Sequence, residues 1–110
     1  MNDIARHFSS CVITANSAAA TTSGNIPFGP FAGGVVVIAN TQTATQINWH
    51  GAPSMSVTPR QIYADGASVT SGLTVGCISI PDACFALPFV VPVIVGGTAS
   101  TCAMTVLLKG

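Results

Sequence analysis

The chain has 110 residues, a length that makes one domain around one core, and only six full charges: Asp3, Arg6, Arg60, Asp65, Asp82 and Lys109. Ordinary soluble domains are roughly a quarter Asp, Glu, Lys and Arg, so a free surface of this composition lacks most of the repulsion that keeps molecules apart. Disorder is excluded by a hydrophobic content of 49%, and a helical fold by the near absence of charged and long-chain helix formers.

In chain order, residues 8–14 (Phe-Ser-Ser-Cys-Val-Ile-Thr) predict a first strand after a short N-terminal segment, residues 1–8. Residues 16–24 are small and polar and predict a loop or an extended arm. Ile26-Pro27-Phe28-Gly29-Pro30-Phe31 suits an irregular edge strand or a turn capped by aromatic packing. Gly33-Gly34 then launches Val35-Val36-Val37-Ile38, a run without alternation, which implies cover on both faces. One face would be the domain core; the other is a neighbouring subunit or a loop of the same chain.

After a turn at residues 40–43, residues 45–51 alternate, with Thr45, Ile47 and Trp49 on one side and Gln46, Asn48 and His50 on the other. Residues 52–58 predict a loop, 60–63 a short strand, and Asp65-Gly66 a turn. Residues 67–70 and 73–78 read as strands flanking a turn at Ser71-Gly72. Pro81-Asp82-Ala83-Cys84 predicts one helical turn begun by Pro81. Residues 89–95 form an edge or bulged strand because Pro92 lacks a ladder N–H, and Gly96-Gly97 turns the chain into a last strand over residues 99–108. About eight short strands with turn signals at roughly 8 to 14 residue intervals predict an all-β single domain, a β-sandwich or jelly roll, with a small barrel as competitor.

The chemistry-bearing residues are few. His7 and His50 are the imidazoles, and the side-chain carboxylates are Asp3, Asp65 and Asp82, with no local signature that sets a nucleophile on a strained turn. No ligand spacing for a metal is present, and neither glycine pair carries the tail of a phosphate-binding loop. No catalytic residue, cofactor or metal is therefore expected. Nucleic acid is disfavoured because the cations Arg6, Arg60 and Lys109 are widely spread. The apolar run 83–95 is too short for a membrane helix and is broken by Pro88 and Pro92. Residues 1–10 hold Asp3, Arg6 and His7 with no leucine-rich stretch after them, so no secretory signal is expected. Cys11, Cys77, Cys84 and Cys102 are expected as buried free thiols, with a Cys77–Cys84 bridge as the alternative.

Two function classes follow. The first is an assembly component whose flanks are covered by other subunits, with Val35, Val36, Val37, Phe28 and Phe31 as its interface. The second is a carbohydrate-binding β-sandwich module, with Trp49, Tyr63 and Asp65 as a platform and the amides of Asn48 and Gln61 beside it.

The stretches Phe31-Ala32-Gly33-Gly34-Val35-Val36-Val37-Ile38-Ala39-Asn40-Thr41, Ile47-Asn48-Trp49-His50-Gly51 and Ile62-Tyr63-Ala64-Asp65-Gly66 taken together resemble small tailed-phage virion proteins of the decoration or cement kind. Ala86-Leu87-Pro88 and the ending Val106-Leu107-Leu108-Lys109 add to the likeness, which covers residues 31–110. The resemblance implies a β-sandwich or jelly roll, often a homotrimer, that binds the major capsid protein and other virion proteins on the capsid exterior. It implies synthesis in the host cytoplasm and supplies no catalytic residues. Low charge and four cysteines depart from that pattern.

Overall fold

The computed structural model describes residues 8–16, 26–29, 31–40, 43–96 and 101–110. The fold is all-β. Its strands are β1 (Phe8–Asn16), β2 (Ile26–Pro27), β3 (Gly33–Ile38), β4 (Gln46–Ala52), β5 (Arg60–Gln61), β6 (Tyr63–Ala64), β7 (Ala67–Ser68), β8 (Thr70–Gly72), β9 (Gly76–Ser79), β10 (Phe89–Val95) and β11 (Thr101–Lys109). Pro81 precedes a 3-10 turn over Asp82–Ala86, so the helical turn begins one residue later than its proline suggests.

A four-stranded sheet runs in the order β1-β11-β3-β9, and a second in the order β2-β10-β4-β5, with β8 also paired to β4. All pairings are antiparallel. Alternation along each strand decides what lies between the sheets. From the first sheet, Val36, Ile38, Met104, Val106 and Leu108 turn inward; from the second, Ile47, Trp49, Val90 and Ile94 meet them in one buried cluster. Burying a side chain of this size stabilises by about 1.5–3 kcal/mol, so this cluster, the larger of two among the described residues, is the main force holding the sheets together.

Two turn predictions resolve differently. Asp65 (φ 53°) and Gly66 (φ 82°) both adopt the left-handed region and join β6 to β7, the paired positive φ of a two-residue hairpin. Ser71-Gly72, by contrast, is strand: Ser71 pairs with Ile47 in β8, and its hydroxyl receives the Trp49 indole N–H at 3.0 Å. The break falls instead at residues 73–75, before Gly76.

The expected short strand at residues 60–63 is divided at Ile62, whose N–H bonds the Trp49 carbonyl while residues 63–64 leave to form the hairpin. Thr45 lies just outside β4. Among the described residues eleven strands appear where about eight are expected, because residues 60–79 form several such short pieces.

Pro92 sits in β10 at no cost to the ladder. Its partner Trp49 directs its own N–H away to the Val69 carbonyl at 3.1 Å, so Trp49 and Pro92 are a non-bonded pair. The missing N–H of Pro92 faces away from β4, on the side of β2, whose described pairing reaches Val90. Residues 17–25, most of the expected arm, lie outside the described residues.

Candidate assembly surface

The outer face of the first sheet is built by the residues that alternate with the core. Register places Thr105, Val37 and Cys77 in one row across β11, β3 and β9, and Leu107, Val35 and Ser79 in the next. Val35 and Val37 are half-buried, while Leu107, Cys77 and Ser79 are exposed. These two rows carry no charge. At their end a groove of about 540 Å³ opens between residues 32–35 and 107–110, with Lys109 on its wall. Val75, 51% exposed, adds apolar surface just before β9.

The interface expected from sequence is divided by this geometry. Val36 and Phe28 are fully buried in the chain's own core, so neither is available to a neighbour. Val36 turns inward because it alternates with Val35 and Val37, and Phe28 stacks on Phe85 with ring centroids 5.0 Å apart. Val35 and Val37 remain on the outer face, and Phe31 is half-buried against the core.

Leu107, Thr105, Cys77 and Ser79 are not among the interface residues that the sequence suggests. A signal existed for one of them: two adjacent leucines in a strand must face opposite ways. Leu108 is 1% exposed and Leu107 38%.

The residues of the sugar platform do not converge as expected. Trp49 is fully buried, between Pro92 on one neighbouring strand and Ser71 on another, and offers no ring face to a ligand. The Gln61 amide is committed to the carbonyls of Trp49, Ile62 and Val69 at 2.9–3.2 Å. Asn48 accepts from Gln46 Nε2 at 2.6 Å on the outer face of the second sheet. Tyr63 is 67% exposed, and Asp65 caps the hairpin beyond it. Beside Tyr63 and Arg60 lies a depression of about 380 Å³ walled by Ile62, Ala83, Ala86 and Leu87.

His50 pairs with Val91 and Gln61 on that same outer face. Its Nδ1 is buried and has no hydrogen-bond partner. Burial lowers its pKa below 6.5, and the Pro59 backbone carbonyl, which favours the charged ring, offsets part of that.

Cys77, Cys84 and Cys102 are free thiols, the first exposed and the other two buried. Exposed Cys77 differs from the buried state expected of it, because its position in β9 faces outward with Val37. Burial pushes the Cys84 thiol up to about 12. Among the described residues no group of three or more His, Cys, Asp or Glu is arranged to hold a metal ion, and no helix is long and apolar enough to cross a membrane. Comparison with protein-family models, with curated proteins and with solved structures gives no match.

Proposed function

We propose that this chain is a non-enzymatic structural protein that associates with copies of itself and with a larger lattice, in the manner of a capsid decoration or cement protein. The observation that carries the reading is the pair of uncharged rows on the outer face of the first sheet, where Val35, Val37 and Leu107 lie side by side, with Lys109 beyond them at the end of β11. Apolar area removed from water contributes about 25 cal/mol per Å², and association costs offset part of it. Repetition over a shell makes even a modest contact effective, because many weak sites act together. Trimers on the capsid exterior, bound to the major capsid protein, are the state this reading favours.

The test is sedimentation of the purified protein alone and mixed with candidate capsids. Multimers and co-sedimentation are expected, and both should weaken in Leu107→Lys, which sets a charge on the exposed face without touching the core. A monomer at every concentration with no affinity for particles would overturn the proposal.

A second reading, a carbohydrate-binding module, draws support from the open depression beside the exposed Tyr63 ring. It predicts glycan binding that is lost in Tyr63→Ala, measured by calorimetry.

A further inference from the structure

At one edge of the first sheet, β9 pairs only with β3 among the described residues. Its open side can be worked out from one bond. Ile80 N–H donates to the Gly34 carbonyl at 3.1 Å, which makes Ile80 and Gly34 a bonded pair of the ladder. Alternation then makes Ile78 with Val36, and Gly76 with Ile38, the next bonded pairs. The backbone N–H and C=O groups of Cys77 and Ser79 consequently point away from β3, out of the sheet edge, and both residues are exposed.

Natural proteins blunt such edges with lysine, proline, a bulge or a covering loop. Gly76-Cys77-Ile78-Ser79 has no charge and no proline. Its brevity limits the strength of any one contact but does not close the edge. Ile78 adds a second observation: it lies on the core side of the sheet and packs against the core cluster, yet stays only half-buried, with no strand beyond it among the described residues.

We propose that β9 is a strand-addition interface between two copies of this chain, related by a two-fold axis through Ile78. This rests on the assembly reading and deepens it by naming one contact and its symmetry. In that register Cys77 of one copy lies opposite Ser79 of the other, and the reverse. Four backbone hydrogen bonds form, and Ile78 meets its own counterpart in the intervening non-bonded pair, completing its burial. The two four-stranded sheets become one sheet of eight strands.

A second copy is the occupant that fits. Outward groups placed symmetrically about Ile78 are complementary to themselves under a two-fold rotation. The joined outer rows bring no like charges together, and the chain's net charge of zero adds no repulsion between copies. A two-fold contact yields even-numbered species: dimers, or hexamers where a trimer also forms.

Two variants test this. Ser79→Pro removes an N–H that points outward and leaves the bonds of Ile78 and Ile80 to β3 intact. It should keep the wild-type thermal unfolding temperature while the even-numbered species falls to half its mass in sedimentation. Ser79→Cys sets a thiol opposite Cys77 of the second copy, at the roughly 5.5 Å Cα separation of a bonded pair that a disulfide can span. Oxidation with copper phenanthroline should give a covalent dimer whose linkage, mapped by mass spectrometry, joins Cys77 to the introduced thiol. Multimers that are odd-numbered, or that persist unchanged in Ser79→Pro and never cross-link through Cys77, would overturn the β9 contact and leave the assembly reading standing. A wild-type chain that is monomeric, together with a Ser79→Cys variant that gives no cross-link, overturns both.

Discussion

The indole Nε1 of Trp49 donates a hydrogen bond to Ser71 Oγ at 3.0 Å, tying β8 to the largest side chain of the core. A fully buried indole needs a partner for its one donor. Ser71→Ala leaves that N–H unsatisfied and is expected to cost about 1–3 kcal/mol. Urea unfolding followed by far-UV circular dichroism measures it, and a loss below about 0.5 kcal/mol would contradict the burial of this bond.

Burial of Trp49 also sets its fluorescence. Emission in the native protein should be blue-shifted, poorly quenched by iodide and unchanged by glycans, moving to the red only on unfolding. A glycan-dependent change would mean that the ring reaches the surface.

Adjacent glycines at the start of β3 should respond in opposite ways. A Cβ on Gly34 would strike the Leu107 backbone carbonyl and press on Leu108 Cδ2 at 3.0 Å, whereas one on Gly33 meets nothing within 4 Å. Backbone cannot step aside as a flexible side chain does. Gly34→Ala is expected to lose about 1–3 kcal/mol. Gly33→Ala should be neutral or slightly stabilising, because alanine restricts the unfolded chain. The two melting temperatures, measured side by side, check this contrast.

These residues show how far local pattern reaches. The alternation around Ile47 and Trp49 and the Asp65-Gly66 turn are legible because period and turn chemistry act over a few residues. The uninterrupted run Val35-Val36-Val37 is ambiguous, since only its partners decide which face is core. Those partners, Val106 on β11 and Ile78 on β9, are far away in sequence. Ser71-Gly72 misleads for a related reason: its turn-like composition yields to pairing with β4 and to the needs of a distant indole. The outer face was half visible, through Val35 and Val37, but its completion by Leu107, Cys77 and Ser79 depends on a strand order that no local signal encodes.

Thiol reactivity should divide the cysteines of β9, the 3-10 turn and β11. Cys77 is exposed with its thiol open to reagent, while Cys84 and Cys102 are buried and burial raises both thiols, Cys84 to about 12. Because the thiolate is the reacting form, iodoacetamide at neutral pH should label Cys77 in the native protein. Cys84 and Cys102 should be labelled only in denaturant. Peptide mapping by mass spectrometry reads each site separately, and native labelling of Cys84 would contradict its place in the core.

Stability should fall on mild acidification through His50. Burial lowers its folded-state pKa below the reference of 6.5, so the folded protein holds the ring neutral where the unfolded chain has begun to protonate it. Below pH 6.5 the unfolded state therefore binds more protons, and stability declines as pH drops until the folded-state pKa is reached, where the decline stops. Above pH 6.5 both states are neutral at this site and it contributes no slope. In His50→Gln this component is absent, so the difference in unfolding free energy between wild type and variant should be flat above pH 7 and shift against the wild type below pH 6.5. His7 and the side-chain carboxylates are common to both proteins and cancel in the comparison. Urea midpoints at half-unit steps from pH 7.5 to about pH 5 measure it. A difference that does not change with pH would show that the His50 ring is as free to take a proton in the fold as outside it.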